Sequence, residues 1–101
     1  MSENAVRRIV VGGTVQGVGF RVSCCQAASA IGLCGVVRNR PDGSVEIFAE
    51  GSPEWLEELI EWCRSGPPGA RVSSVSVTEG PAAEACEPAG SRPWGGFRIV
   101  G

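Results

Sequence analysis

Apolar and polar positions alternate early in the chain. In VRRIVVGGT, residues 6–14, Ile9 and Val11, with Val15 just beyond, share one face, which predicts a half-buried strand ending near Val15. The period then changes. Cys24, Ala27, Ala28 and Ile31 recur at the i, i+3, i+4, i+7 spacing of a helix buried along one stripe, over about Val22 to Ile31, and Gly32 is placed to end it. Two β-rich runs follow within CGVVRNRPDGSVEIFAEG, residues 34–51, and Pro41-Asp42-Gly43 between them signals a hairpin turn. In the second run Val45, Ile47 and Ala49 form the inward face. Ser52 and Pro53 suit the N-cap and first turn of a second helix. There Leu56, Leu59, Ile60 and Cys63 make the buried stripe, Trp55 and Trp62 pack beside it, and Glu54, Glu57, Glu58 and Glu61 take the wet side. GPPGA, residues 66–70, stops that helix, and a strand with less regular alternation is expected over 71–79, with Ser73-Ser74 suggesting a bulge or an edge. Residues 80–96 are rich in Gly, Pro and Ala and read as a loop before a short last strand, FRIV, at 97–100.

The order is therefore β-α-β-β-α-β with one extra C-terminal strand. The hairpin makes the second and third strands neighbours, and right-handed crossovers place the first strand between the third and fourth. The sheet order is then 4-1-3-2, mainly antiparallel, with two helices on one face: a ferredoxin-like α+β sandwich. The pattern does not place the fifth strand, and the fold alone says little about function.

Composition narrows the function. At 101 residues the chain reads as a single domain, 1–101, and its net charge of −2 gives no global attraction to nucleic acid or acidic membranes. No apolar run is long enough to span a bilayer, and MSENAVRR lacks the apolar stretch of a signal peptide, so a cytoplasmic protein is expected. RNA binding on the sheet would call for exposed aromatics and a basic surface, yet the chain has three Phe, three Trp and no Tyr. The five cysteines, Cys24, Cys25, Cys34, Cys63 and Cys86, are an odd number with no CxxC pair; they read as mostly reduced, buried small side chains and not as a metal site. There is no histidine, which removes the Ser-His and Cys-His nucleophile pairs.

The segment VQGVGFR, residues 15–21, holds the candidate chemistry. A strand runs through a glycine turn into a helix, so consecutive main-chain N–H groups gather at a helix N-terminus and can grip an anion. Gly17 and Gly19 permit the required dihedrals. Arg21 puts a cation where the helix dipole mildly disfavours one. A phosphate between its oxygen-matching fork and the amides would reverse that cost. Other glycine-loop chemistries fail on detail: no lysine follows as a P-loop needs, and Val22 stands where a dinucleotide fingerprint has its third glycine.

GTVQGVGFR (13–21), IGLCGVVRNRPDGSVE (31–46), GPPGARVSSV (66–75) and the terminal FRI, in this order and at these separations, resemble the acylphosphatase family. The resemblance covers almost the whole chain and implies the same ferredoxin-like fold. It implies hydrolysis of the carboxyl-phosphate anhydride of acyl phosphates with no metal or cofactor. It further implies that Arg21 holds the phosphoryl group, that Asn39 orients the attacking water, and that the backbone of Gln16, Gly17, Val18, Gly19, Phe20 and Arg21 cradles the phosphate. The partners implied are a small acyl phosphate and, as competitors, inorganic phosphate or other anions; the protein is expected to be a monomer with no nucleic-acid or membrane partner. The alternative is a non-catalytic or accessory anion-binding domain of the same shape, since the same block opens a large hydrogenase-maturation protein. Two departures stand out. Val36 sits where the family usually has an aromatic, and Cys24 and Cys25 lie beside the cradle, where a helix N-terminus could lower a thiol pKa and make the site redox-sensitive. Arg38 and Arg40, flanking Asn39, alternate to the opposite face and read as solvated or as attracting substrate.

Overall fold

The structure, a computed structural model, describes residues 4–80 and 96–101. Its elements are β1 (Ala5–Thr14), α1 (Phe20–Ile31), β2 (Cys34–Asn39), β3 (Val45–Gly51), α2 (Pro53–Ser65), β4 (Arg71–Glu79) and β5 (Phe97–Ile99). The sheet order is β4-β1-β3-β2-β5, the predicted 4-1-3-2 with β5 added at the β2 edge. β1–β3, β1–β4 and β2–β3 are antiparallel, while β5 runs parallel to β2. The anticipated loop at 80–96 lies, apart from its two ends, outside the described residues. Among the described residues no helix is long and apolar enough to cross a membrane.

The inward positions read from the sequence are the ones that form the core, although the middle of β2 and the start of β3 are buried on both faces. Ile9 and Val11 of β1, Val37 of β2 and Val45, Ile47 and Ala49 of β3 are fully buried and meet Cys24 and Ala28 of α1 and Leu56, Leu59, Ile60 and Cys63 of α2 in one core. α1 starts two residues earlier than the apolar stripe predicts, because Phe20 is itself a core residue, 2% exposed, whose ring lies edge-on to Trp62 of α2 at 5.2 Å between centroids. Ser52 caps α2 by accepting from the main-chain N–H of Trp55. Trp55 is less buried than its place beside the stripe suggests, yet its ring lies over Gly32, the left-handed C-cap of α1, where a Cβ would come within 2.9 Å of it. The irregularity at Ser73-Ser74 is both a bulge and an edge. β4 is the terminal strand, and its register slips so that Gly12 faces Ser74 while Gly13 faces Val72.

β5 is held by its ring and by its backbone. Phe97 is buried in the core, and Gly35 opposite it leaves no room for a side chain: a Cβ there would lie 2.0 Å from the Phe48 carbonyl and 2.9 Å from the Phe97 ring. The parallel ladder continues beyond the strand, with the Val100 N–H donating to the Val37 carbonyl (3.0 Å) and the Asn39 N–H to the main-chain oxygen of Gly101 (3.1 Å). The tertiary fold thus carries the last residues to the end of β2 where Asn39 stands.

The sheet face away from the helices holds a charged row. Glu46, 3% exposed, accepts from Nε of Arg8 and Nε of Arg38, each at 2.6 Å. Arg38 is therefore engaged in the sheet and not simply solvated. Burial pushes the Glu46 carboxyl upward, but the hydrogen bonds and charges of Arg38 and Arg8 outweigh it, and the net displacement is downward. A carboxyl with a lowered folded pKa stabilises the fold above its unfolded pKa of about 4.3, and that stability is lost as pH falls through the folded value. Glu46→Gln is expected to cost about 2 kcal/mol at neutral pH, the scale of hydrogen bonds to charged groups. The gap from the parent should narrow as the pH falls through the lowered folded pKa and the parent carboxyl also takes up a proton. Urea midpoints of both proteins across that range measure it.

Candidate active site

The N-terminus of α1 is built unlike that of α2. Ser52 closes α2 with a side-chain hydrogen bond, and Glu54 puts an acid in its first turn. α1 has Gly19 as N-cap in the left-handed conformation, no side-chain cap and no acid in its first turn. The Ser23 N–H donates to the Gly19 carbonyl at 3.0 Å and closes the first turn of α1. The preceding amides form the open end of a helix, where donors and dipole both favour an anion. Gly17 and Gly19 have φ of 77° and 78°, and a Cβ on either would meet nothing within 4 Å. The glycines are thus demanded by the backbone conformation and not by crowding from the protein.

Arg21, the second residue of α1, directs Nη1 to the main-chain oxygen of Gly101. The same oxygen accepts from the Asn39 N–H. Arg21 and Asn39, separated by a helix and most of a strand in the sequence, thereby both hydrogen-bond to one backbone oxygen. Gly101 is a residue that the sequence reading missed. The signal available was the terminal FRI, whose place in the sheet the pattern could not supply.

Asn39 ends β2, paired with Val45 of β3. It is two residues from Val37 and so points to the helix side of the sheet, as alternation requires. Its Oδ1 is buried and has no hydrogen-bond partner among the described residues. A carboxamide oxygen left in this way is an acceptor waiting for a donor such as water. Gln16 reaches from the other side: its Nε2 donates to the carbonyls of Arg40 (2.8 Å) and Ser44 (3.0 Å) in the β2–β3 turn. The sequence reading used only its backbone.

The acylphosphatase family pattern matches residues 7–87. This chain belongs to the acylphosphatase family. Over 68 residues it is 57% identical to an acylphosphatase of Synechococcus sp. strain RCC307, a match covering 67% of this chain and 58% of that relative's length. It resembles the crystal structure of the Bacillus subtilis acylphosphatase with a TM-score of 0.80 at 38% identity, over 98% of this chain and all of that one. It also superposes on full-length HypF, solved in a phosphate- and nucleotide-bound form, with a TM-score of 0.78 at 27% identity; all of this chain corresponds there to 12% of the longer one.

Cys24 and Cys25, which depart from the usual pattern of an acylphosphatase, sit where burial disfavours the thiolate. Burial pushes the Cys24 thiol well up, reinforced by Cys63 and then Cys25, and burial likewise raises Cys25. The expectation that the helix N-terminus would lower these thiols is therefore corrected. Cys24 is fully buried, and desolvation of a thiolate outweighs the dipole of a helix end. Cys63 is pushed up to about 12, also by burial. Cys24, Cys25 and Cys63 are free thiols, in line with the expectation of mostly reduced cysteines, whereas Cys34, at the start of β2, is disulfide-bonded. Val36, in place of the usual aromatic, packs on the open sheet face beside Phe48 and Val100, away from the cradle.

Proposed function

We propose that this chain hydrolyses acyl phosphates to a carboxylate and inorganic phosphate. Membership in the acylphosphatase family supports the reaction class. The observation that carries its assignment to named residues is the meeting of Arg21 and Asn39 at Gly101, beside a helix N-terminus without a side-chain cap. The main-chain N–H groups of residues 16–21 receive the phosphoryl oxygens, and the Arg21 guanidinium shares their charge with its planar fork. The Oδ1 of Asn39 accepts a hydrogen bond from a water and turns its lone pair along the line of the breaking P–O bond.

The chemistry suits a site without histidine. The leaving group is a carboxylate, stable as the anion, so no acid is needed to protonate it. Water forms the new P–O bond, the bond to the acyl oxygen breaks with its electron pair leaving on the carboxylate, and the proton of the water passes to a phosphate oxygen. Asn39 orients and does not act as a base, since a carboxamide does not take up a proton near neutrality. Catalysis is then positioning plus fixed donors, and activity should change little with pH around neutrality.

The test is turnover of benzoyl phosphate by the purified protein in the presence of EDTA. The expected outcome is hydrolysis that persists with the chelator and is inhibited competitively by inorganic phosphate. Phosphate binding without turnover would instead leave a non-catalytic anion-binding domain.

A further inference from the structure

The sheet holds β1 as far as Thr14, but strand pairing does not reach from the loop after it to the turn after Asn39. The β1–β3 ladder ends at Val11↔Val45, and the β2–β3 ladder ends at Asn39↔Val45. Beyond those pairs, the 15–19 loop leaves one end of the sheet and the 40–44 turn leaves the same end, with no strand pairing between them. β1 and β2 are not neighbours, because β3 lies between them.

The turn is a rigid unit in its own right. The Arg40 N–H donates to the Ser44 carbonyl (2.8 Å) and the Gly43 N–H to the Arg40 carbonyl (3.1 Å). The Asp42 carboxylate accepts from the Ser44 N–H (2.9 Å) and hydroxyl (2.6 Å). Gln16 fastens onto the two carbonyls that close this turn. A carbonyl oxygen accepts two hydrogen bonds, so the Arg40 and Ser44 oxygens each serve the turn and Gln16 together. Two acceptors facing one amide group require its NH2 end, and both of its N–H donors are spent there.

We infer that the Gln16 side chain is a positioning residue, which sets the distance between the phosphate cradle and the water-orienting Asn39 by clamping the loop to the turn one residue beyond it. This rests on the roles proposed above for the cradle and for Asn39. Gln16 contributes its main-chain N–H to the cradle and its carboxamide to the opposite wall, so one residue links the group that holds phosphorus to the group that aims water. Misplacing a reactant by about 1 Å costs on the order of a hundredfold in rate; the contacts that both Arg21 and Asn39 make with the Gly101 oxygen tie the helix side of the loop to β2, and the Gln16 carboxamide adds the tie on its strand side.

The test is a double-mutant cycle between residues 16 and 39, read as kcat on benzoyl phosphate and as Ki of inorganic phosphate. Gln16→Met keeps the length of the side chain and removes both donors. It is expected to lower kcat by roughly ten- to a hundredfold, with Ki within about twofold because the main-chain donors remain. In an Asn39→Ala background the same substitution should change kcat by less than about twofold, since the clamp has no water-orienting group left to place. Gln16→Asn keeps the amide one methylene too short to span both carbonyls and should repeat the pattern, which secures the result if the methionine variant does not fold. Fold-losses that multiply in the double variant, or a Ki that rises as kcat falls, would overturn the inference and assign Gln16 to general loop stability. An inactive parent protein would remove the proposed function and this inference with it, whereas an active parent with an Asn39-independent Gln16 effect removes this inference alone.

Discussion

Arg21→Ala should abolish most of the hydrolysis of benzoyl phosphate and weaken phosphate binding in the same step. The cradle would keep its main-chain donors but lose the side-chain cation that faces the dianion. Deleting one fixed donor at a site where charge develops lowers rate by about a hundred- to a thousandfold. A charge-assisted hydrogen bond is worth about 1.5–3 kcal/mol, so Ki for inorganic phosphate should rise by roughly ten- to a hundredfold. The hydrogen bond seen for Arg21 goes to the main-chain oxygen of Gly101 at a partly exposed site, and the side chain is not part of the core. Thermal unfolding should therefore shift little. Steady-state kinetics with phosphate as inhibitor, beside a melting curve, read all three quantities. A variant that keeps the parent's phosphate affinity would show that the guanidinium does not touch the anion.

Asn39→Ala should separate rate from binding. Its proposed task is confined to the water, so kcat falls by about a hundredfold or more, while Ki for phosphate stays within about twofold. Stability should not fall with activity. Oδ1 of Asn39 is buried with no partner among the described residues. Leaving an acceptor in that condition costs about 1–3 kcal/mol, and alanine removes the atom that incurs it. The alanine variant is then expected to unfold at the same denaturant concentration as the parent or a higher one, a trade typical of a group kept for chemistry. A slow, destabilised variant with weakened phosphate binding would mean that Asn39 holds the strand end and not the water.

These two residues differ in how far they could be read in advance. Arg21 follows a glycine turn at the start of a helix, and local geometry alone gives a cation in that place a reason to seek an anion. Asn39 is an ordinary hairpin-end residue by every local measure. Its importance entered only through the resemblance of VRN and DGSVE to the acylphosphatase family. The Gln16 clamp was not legible at all, because its acceptors are main-chain carbonyls of Arg40 and Ser44, and any residue type there offers a carbonyl. The reading of Cys24 and Cys63 as buried small side chains holds, but the idea that a helix end lowers the Cys24 thiol fails for a related reason. Sequence position puts Cys24 near a positive helix end, but burial, a property of the packed molecule, decided its thiol.

Hydrophobic periodicity by itself determined the two helices, the first four strands and their order, because burying one face of each element leaves few ways to connect them. The residue type alone determined the turn at Gly17 and Gly19, since only glycine adopts those left-handed angles without strain. Only the tertiary structure decided where β5 goes, which residue Arg21 reaches, and that Glu46 is buried between two arginines. Those outcomes depend on partners distant in the chain, and a contact between distant segments leaves no periodic trace in either one.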